Sequence, residues 1–361
     1  MIYFDNAATT RCINNSQEFY NPSSPHSLGI KAERALRAAR NTVATVLGCA
    51  SSEIIFTSGG TESNNLAILG CALANARQGL YMISAPYEHP SLLAPIQFAS
   101  ERGWGKSQIS QAIDCIPPGN VLASISHVSH ETGDINNINT ISESIKKLNP
   151  SAIIHIDGAQ GFCKEDVCLR NVDLYSFSGH KCHGPVGTGG LWVRKGVRLT
   201  SLMHGGGQEN GLRSGTESVS SIVQLADAVD TMHKGLSANR IHVANIKSVI
   251  LGLKDVLPDV FVNSLGVDIS PYILNMSFLG VKGEVLVHAL SEKGLYVSMG
   301  AACRSRKRSQ SALSLMGFTH EIAESAIRFS FSPYNTLAEA ELALNIIFDE
   351  VSRLRKVLGV R

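Results

Sequence analysis

The sequence predicts an α/β fold in which helices cover a mainly parallel sheet, followed by a smaller α/β domain. Between residues 53 and 194, short apolar segments alternate with segments of helical period, which is typical of repeated βα units. The 361 residues suffice for two domains. We expect a large domain over residues 11–235 and a small domain built from residues 1–10 and 236–361.

Each element follows from its local pattern, in chain order. Helices are predicted over Ser27–Leu47, from Ser63 to about Arg77, and over Pro90–Arg102, Asn139–Leu148, Val219–Leu257 (with a break near Gly235), Glu284–Lys293, Gln310–Met316 and Leu337–Leu358. Strands are predicted within residues 1–10 and over Glu53–Thr57, Leu80–Ala85, Val121–Val128, Ile153–Asp157, Val172–Tyr175, Gly190–Arg194, Asn275–Phe278, Leu295–Ser298 and Ala326–Phe331. Residues 103–120 are expected to be a connection.

Composition and charge narrow the class of function. The net charge of +2 is too small to favour nucleic acid or a membrane surface over the whole protein. There is no apolar run of 18 residues and no signal-peptide pattern after Met1, so we expect a cytoplasmic protein with no membrane partner. The eight cysteines include no Cys-x-x-Cys pair, which favours reduced thiols and predicts no metal site.

Lys181 is the first candidate for chemistry. It ends the segment Ser176–Lys181, which combines hydroxyls, an imidazole and a glycine, and a glycine-rich turn follows at 184–190. Such surroundings can depress the pKa of a lysine and make its amine nucleophilic, as in the Schiff base to pyridoxal 5'-phosphate. Taken alone, Lys181 is equally an exposed loop lysine.

Asp157 raises the odds of the cofactor interpretation. It ends the apolar strand segment Ile153–Asp157, so its carboxylate is expected at the carboxyl edge of a parallel sheet. A pyridoxal ring needs an anion against its protonated nitrogen. Residues 58–63, with two glycines between a strand and a helix, add a candidate phosphate site. Read separately, the aspartate is a cap or turn residue and the glycines serve only the turn.

Together these stretches resemble the cysteine desulfurases, which are class V, fold-type I pyridoxal-phosphate enzymes. The resemblance covers nearly the whole chain, from Tyr3–Thr10 to Ile327–Ser330. The motifs that carry it are Thr57–Asn65, Glu88-His89, Asp157–Gln160, Ser178–Lys181, His204–Glu209 and Arg213–Thr216.

The resemblance implies a role for each candidate residue toward the cofactor. Lys181 would hold it and later move protons on the substrate, Asp157 would pair with the ring nitrogen, Gln160 would reach the phenolic oxygen, and His89 would stack on the ring and transfer protons. The residues implied in phosphate binding are Gly60, Thr61, Ser178 and His180, with Thr216 reaching the phosphate of a neighbouring subunit in a homodimer.

The resemblance also implies how L-cysteine is bound and attacked. Arg328 would form a bidentate pair with the substrate carboxylate, with Asn6 and His130 also near the substrate. Cys303 occupies the nucleophile position of the longer-loop class, and would leave L-alanine and carry a persulfide to an acceptor protein. The basic residues 304–308 favour its thiolate. The plain alternative for Cys303 is a small buried core residue.

Two features depart from the family pattern. His130 stands where the family usually has an asparagine, which predicts a steeper pH dependence or an altered substrate or resting activity. The run 304–308 is more basic than usual, and is either a solvated charge run or a docking site for an acidic or nucleic-acid-associated acceptor. Direct nucleic-acid binding by the protein itself is not expected.

Other functions stay open at this point. Another class V activity, such as an aminotransferase or a selenocysteine lyase, shares most of these residues, although an aminotransferase does not need Cys303. A non-catalytic assembly subunit would keep the fold, bind partner proteins and hold no cofactor, whereas Lys181, Asp157, His89 and Gln160 are all present. The acceptor pathway is also open between iron–sulfur assembly and sulfur modification of tRNA or DNA.

Overall fold

The structure is a computed structural model that describes residues 2–8, 10, 20–110, 116–299 and 311–359. The helices are α1 (Ser27–Leu47), α2 (Gly60–Ala74), α3 (Pro90–Glu101), α4 (Ile138–Leu148), α5 (Val219–Lys234), α6 (Leu236–Leu251), α7 (Leu253–Val256), α8 (Gly283–Glu292), α9 (Ala312–Leu315), α10 (His320–Glu324) and α11 (Leu337–Leu358). The strands are β1 (Ile2–Tyr3), β2 (Ile54–Thr57), β3 (Tyr81–Ser84), β4 (Lys106–Ile109), β5 (Val121–Ser126), β6 (Ile153–Asp157), β7 (Leu174–Ser178), β8 (Gly189–Val193), β9 (Val260–Val262), β10 (Ile273–Phe278), β11 (Leu295–Tyr296) and β12 (Ala326–Ser330).

Contacts divide the chain into two compact units. The large unit comprises residues 11–127 and 136–234, and the small unit comprises residues 1–10, 128–135 and 235–361. Residues 128–135, which the sequence analysis assigned to the large domain, therefore group with the C-terminal part of the chain.

A seven-stranded sheet of described residues organises the large unit, in the order β2-β8-β7-β6-β5-β3-β4. The neighbours β4, β3, β5, β6 and β7 are parallel, whereas β8 runs antiparallel to both β7 and β2. The strands β5 and β7 are buried along their whole length, as expected of a sheet that helices cover on both faces. The predicted α/β fold with a mainly parallel sheet is confirmed.

Helix α1 shows how local sequence sets the bounds of an element. His26 caps its start, where the side chain accepts a hydrogen bond from the Gly29 amide, and Gly48 ends it in the left-handed conformation with φ of 65°. Ala32, Leu36 and Val43 recur at helical spacing and are buried. The predicted span Ser27–Leu47 is confirmed.

An ion pair closes the outer side of strand β2, which has one strand neighbour among the described residues. Arg40 on α1 donates to the Ile54 carbonyl at 2.6 Å, and Glu209 accepts from the Phe56 amide at 2.9 Å. The two side chains pair with each other through two contacts of 2.7 Å. The Ile54 carbonyl and the Phe56 amide on this edge are therefore satisfied by side chains.

The small unit has its own sheets and its own core. Strands β12, β10 and β9 form an antiparallel sheet, and β1 pairs in parallel with β11. Phe4, Phe278 and Phe329 lie fully buried in its core. Helix α11 begins at a capping box in which Thr336 and Glu339 satisfy each other's backbone amides, and its predicted span Leu337–Leu358 is confirmed.

Several predicted elements differ from the structure. The predicted break near Gly235 in the helical stretch from Val219 is confirmed, but a second break at Gly252 divides the stretch into three helices. The connection 103–120 contains strand β4, and strand β9 and helix α10 had not been predicted. The predicted strand Val121–Val128 ends at Ser126, because residues 128–135 turn back on themselves through the Val128–Ile135 bridge. Within the described ranges, no helix combines the length and apolarity needed to cross a bilayer.

Candidate active site

Asp157 and Ser178 end the neighbouring strands β6 and β7, at the carboxyl edge of the large unit's sheet. The register pairs Asp157 with Ser176, which brings the two strand ends side by side. Asp157 is buried, and each of its carboxylate oxygens accepts one hydrogen bond: Oδ1 from the Ala159 amide and Oδ2 from Asn64 Nδ2, both at 2.9 Å. The carboxylate is thus held in one orientation at the edge where α/β proteins bind ligands.

Lys181 follows the end of β7 in a short 3-10 turn, Gly179–Lys181. Its side chain is half-buried. Burial, and then the nearby charges of Lys181 and Lys164, lower the pKa of His180 to about 4, so this imidazole is neutral near pH 7. Lys164 is itself buried and donates to Gln160 Oε1 at 3.4 Å. Two lysines, Lys181 on the same segment and Lys164 after strand β6, thus place positive charge near His180.

The start of helix α2 and the end of β7 form an anion cradle, defined here by Gly59, Gly60 and Ser178. Gly59 has φ of 151°, and a Cβ at Gly60 would lie 3.5 Å from the Ser178 Cβ. Ser178 is 3% exposed, and its hydroxyl has no hydrogen-bond partner although the atom is buried. An orphaned buried hydroxyl beside amides at a helix N-terminus suits a phosphate group. Together with the held carboxylate of Asp157, these residues fit pyridoxal 5'-phosphate. Thr61, the next residue of α2, is exposed.

Two glycines allow bulky side chains to pack beneath the strand ends. A Cβ at Gly158 would lie 2.1 Å from the Tyr175 ring, and one at Gly161 would lie 2.3 Å from the His127 ring. Tyr175 and His127 hydrogen-bond each other at 3.1 Å. The turn between these glycines carries Gln160, whose side chain is buried.

Glu88 and His89 precede helix α3. His89 caps the helix, since its Nδ1 accepts from the Ser91 amide at 3.1 Å, and the Ser91 hydroxyl lies 2.7 Å from the same nitrogen. Glu88 is buried and accepts hydrogen bonds from the Ser126 amide, at 3.0 Å, and from the Ser126 hydroxyl. Burial raises the pKa of Glu88 to about 7; the hydrogen bonds from Ser126 oppose the rise and the negative charge of Asp157 adds to it.

Thr216 lies in an exposed segment that an ion pair holds to helix α2. Arg213 Nε donates to Glu62 Oε1 at 3.0 Å, and Glu62 Oε2 accepts from the Ser58 amide at 2.8 Å. The exposed position of Thr216 is compatible with a contact to another subunit.

The predicted substrate residues Asn6, His130 and Arg328 lie in the small unit. Arg328 is 8% exposed, donates to the His130 carbonyl at 2.8 Å and pairs with Asp5 at 3.4 Å. Its buried Nε has no hydrogen-bond partner. A buried guanidinium with an unused donor is a suitable fork for a carboxylate.

The other two substrate candidates differ in what their side chains contact. His130 is half-buried, with its Nε2 3.5 Å from Glu131 Oε1. Asn6 is buried, and its Nδ2 donates to the Tyr3 and Ser330 carbonyls at 3.1 and 3.0 Å. The amide nitrogen of Asn6 therefore holds the N-terminal segment against strand β12.

Cys303 and the basic run 304–308 lie outside the described residues. The part of the chain that the structure describes contains no cluster of three or more His, Cys, Asp or Glu side chains that could hold a metal ion. The sequence motifs assign no role to Asn64 or Ser91. The signal for Asn64 was its place one helical turn after Gly60, on the face of α2 that packs on the sheet; Ser91 carried no signal beyond its nearness to His89.

Comparisons with known proteins agree with this geometry. Residues 2–342 match the model of the family Aminotransferase class-V. The cysteine desulfurase IscS of Buchnera aphidicola is 37% identical over 351 residues, which cover 93% of this chain and 86% of that protein. A solved NifS-like protein is 33% identical with a TM-score of 0.91, covering 98% of this chain and 99% of its own. The structure of SspA in complex with cysteine is 30% identical with a TM-score of 0.78, covering 93% of this chain and 100% of its own.

The family match spans most of the chain. It is supported by a relative of 37% identity that covers 93% of the chain and by a solved structure with the same fold. The chain therefore belongs to the class V aminotransferase family, and its relatives within that family include the cysteine desulfurases.

Proposed function

We propose that this protein is a cysteine desulfurase that converts L-cysteine to L-alanine and carries the sulfur away on Cys303. Members of its family use pyridoxal 5'-phosphate. The observation that carries the proposal is the placement of Asp157 and the segment Ser178–Lys181 at the ends of adjacent strands, beside the N-terminus of α2. The predicted residue roles and the cytoplasmic location stay predictions.

The residues of the large unit would hold the cofactor. Lys181 would bind it covalently, Asp157 would face the ring nitrogen, and Gln160 would reach the phenolic oxygen. The phosphate would be bound by Gly60, Thr61, Ser178 and His180. When bound, the cofactor supplies an electron sink for charge that develops on the substrate. Asp157 supports this because a carboxylate, held by Asn64 and the Ala159 amide, favours the protonated ring nitrogen.

Arg328 would bind the substrate carboxylate. Its unpartnered Nε and its burial favour a bidentate pair, which a lysine at this position could not reproduce. His130 and Asn6 would contact the substrate nearby. Because an imidazole titrates near neutral pH, we expect His130 to give a steeper pH–rate profile than an asparagine, and a His130→Asn variant with an unchanged profile would remove that expectation.

The sulfur step balances with one enzyme thiol. The thiolate of Cys303 would attack the sulfur of bound L-cysteine, the Cβ–S bond would break, and protons returned by Lys181 and His89 would complete L-alanine. Cysteine and a Cys303 thiol thus become alanine and a Cys303 persulfide, with no external oxidant. An acceptor protein would then take the terminal sulfur, for iron–sulfur assembly or for sulfur modification of tRNA or DNA.

A homodimer is part of the proposal. Thr216 is exposed and lies three residues after Arg213, which pairs with Glu62 on helix α2, and it would reach the phosphate of a second subunit. We expect light scattering of the purified protein to give a molar mass about twice that of one chain.

The test is a comparison of three proteins: wild type, Cys303→Ser and Cys168→Ser. Cys168 is an exposed thiol and serves as the matched control. Each protein is loaded with pyridoxal 5'-phosphate and given L-cysteine and a reductant, and alanine and sulfide are measured. We expect equal amounts of both products from wild type and Cys168→Ser, and at least a hundredfold loss in Cys303→Ser.

Two outcomes would contradict the proposal. Full turnover in Cys303→Ser would favour another class V activity, such as an aminotransferase or a selenocysteine lyase. A bound pyridoxal group is expected to absorb at wavelengths above roughly 400 nm. A wild-type protein that takes up no cofactor and lacks this absorbance would favour a non-catalytic assembly subunit.

A further inference from the structure

A hydrogen-bonded chain joins the end of strand β6 to the start of helix α3. Asn64 Nδ2 donates to Asp157 Oδ2 at 2.9 Å and to the Ser91 hydroxyl at 2.8 Å. The Ser91 hydroxyl in turn lies 2.7 Å from His89 Nδ1. Asn64, Ser91 and Asp157 are 1%, 8% and 6% exposed, so the chain is shielded from water over most of its length. We call these four residues the Asp157–His89 chain.

The direction of each hydrogen bond follows from the groups involved. Asn64 Nδ2 carries two protons, and both are used, one toward Asp157 and one toward Ser91. The opposite amide orientation would place Asn64 Oδ1 against the Asp157 carboxylate, which is repulsive. Because the Ser91 hydroxyl accepts from Asn64, its single proton is left for His89 Nδ1.

The backbone amide of Ser91 gives a second and independent constraint. It lies 3.1 Å from His89 Nδ1, and a backbone N–H can only donate. His89 Nδ1 is therefore an acceptor without a proton, and the neutral imidazole carries its proton on Nε2.

We propose that Asn64 and Ser91 are positioning residues that hold His89 as the Nε2–H tautomer and join its imidazole to the carboxylate of Asp157. The inference rests on the proposed function, in which Asp157 and His89 act on the two sides of one reaction. The consequence is that His89 offers Nε2–H to the reacting groups as a hydrogen-bond donor. Its Nδ1 side is closed by Ser91, so the contact of the imidazole with the reacting groups is confined to Nε2.

If Ser91 served only to cap helix α3, neither its hydroxyl nor the Asn64 amide would be needed. Capping of helix α3 needs only the bond from the Ser91 amide to His89 Nδ1, which any residue at position 91 except proline supplies. The hydroxyl of Ser91 and the amide of Asn64 add nothing to that cap. Ser91→Ala therefore keeps the cap and removes the connection, and Ser91→Thr keeps both.

The experiment reads the tautomer directly. Protein labelled with ¹⁵N at histidine is studied by NMR with and without bound pyridoxal 5'-phosphate, and the His89 signals are assigned with His89→Gln. We expect a protonated Nε2 and a hydrogen-bonded, unprotonated Nδ1 in wild type. Ser91→Ala should move the Nδ1 resonance toward that of a nitrogen with a weaker hydrogen bond, and Ser91→Thr should restore the wild-type position.

Kinetics of the loaded enzyme give the second readout. We expect Ser91→Ala to lower kcat roughly tenfold with little change in KM, a fraction of the roughly 100- to 10,000-fold that a catalytic acid–base group contributes. Asn64→Ala should have a similar effect. The double variant should be no worse than the more impaired single variant, because the chain is already broken.

A protonated Nδ1 in wild type would overturn the proposal, and so would a Ser91→Ala protein with an unchanged Nδ1 signal. Additive losses in the double variant would overturn the connection between Asn64 and Ser91. The NMR result does not depend on turnover, so it separates this inference from the proposed function, which fails when wild type makes no alanine and sulfide.

Discussion

The middle of the large unit's sheet and the carboxyl ends of its strands bury polar groups in opposite ways. In the middle, His155 on β6 is fully buried, and its two ring nitrogens pair with the hydroxyls of Ser124 and Ser176 at 3.2 and 2.9 Å. At the strand ends, the buried hydroxyl of Ser178 has no partner, and neither has the buried Oδ1 of Asn64 on helix α2, whose Nδ2 contacts Asp157. The same sheet thus contains a satisfied polar row and an unsatisfied edge.

The difference separates groups that stabilise the fold from groups that await a ligand. A satisfied buried polar pair contributes about 1 kcal/mol, whereas an unsatisfied one costs about 1–3 kcal/mol. A bound phosphate or carboxylate can recover such a cost. The unpartnered Arg328 Nε in the small unit belongs to the second kind.

The largest expected effect comes from breaking the satisfied row. His155→Leu should lower the free energy of unfolding by roughly 2–4 kcal/mol, because it leaves the hydroxyls of Ser124 and Ser176 buried without a partner. The triple variant with Ser124→Ala and Ser176→Ala should recover at least half of the loss. Urea unfolding of the cofactor-loaded proteins measures both, and a triple variant less stable than His155→Leu would refute the account.

The free energy of unfolding should depend on pH in opposite directions for His155, in the middle of the sheet, and for Glu88, near the strand ends. Burial lowers the pKa of His155 to about 4, so its contribution is lost as the pH falls from about 6.5 through 4. Burial raises the pKa of Glu88, near the strand ends, to about 7, so its contribution is complete below about 4.5 and lost as the pH rises through 7.

Glu88→Gln isolates the second effect. The variant should gain roughly 1–3 kcal/mol relative to wild type between pH 5 and pH 8, because glutamine stays neutral throughout. Unfolding midpoints at several pH values give the comparison. Glu143→Gln, which makes the same replacement at an exposed carboxylate, is the matched control. Parallel curves for wild type and Glu88→Gln would show that Glu88 is ionised in the folded protein.

The smallest effect sharpens the comparison within one strand. Ser178→Ala should leave stability without cofactor unchanged or slightly higher, yet weaken the affinity for pyridoxal 5'-phosphate about tenfold, the value of one hydrogen bond to a charged group. Ser176→Ala, two residues earlier on β7, should do the reverse, since its hydroxyl pairs with His155. Equal cofactor affinity in the two variants would mean that Ser178 does not contact the phosphate.

Sequence patterns predicted the elements whose signals are local. The bounds of α1 and α11 follow from caps and helical periodicity, and the run Ile153–Asp157 revealed both a buried strand and its terminal carboxylate. Strand β4 escaped prediction because Lys106–Ile109 is largely exposed and polar, with no apolar alternation. The direction of β8 had no signal either, since a strand's direction is set by its partners.

The candidate site divides in the same way. Lys181, Asp157 and Arg328 could be proposed from their motifs, because the residue types carry the chemistry. The Asp157–His89 chain could not be predicted, since it joins residues 93 and 27 positions apart through side-chain geometry alone. The contact of Arg328 with the His130 carbonyl spans 198 positions and is equally invisible in the sequence.

The ion pair of Arg40 and Glu209 also protects the protein against aggregation. An edge strand with unsatisfied backbone groups is a template onto which another chain can add, and growth of such contacts leads to aggregates. Here the Ile54 carbonyl and the Phe56 amide are occupied by the two side chains, which take the place of a further strand. Loss of either residue would leave backbone groups of edge strand β2 unpaired and so favour aggregation. We therefore expect a lower yield of unaggregated protein before any change in the chemistry at the strand ends.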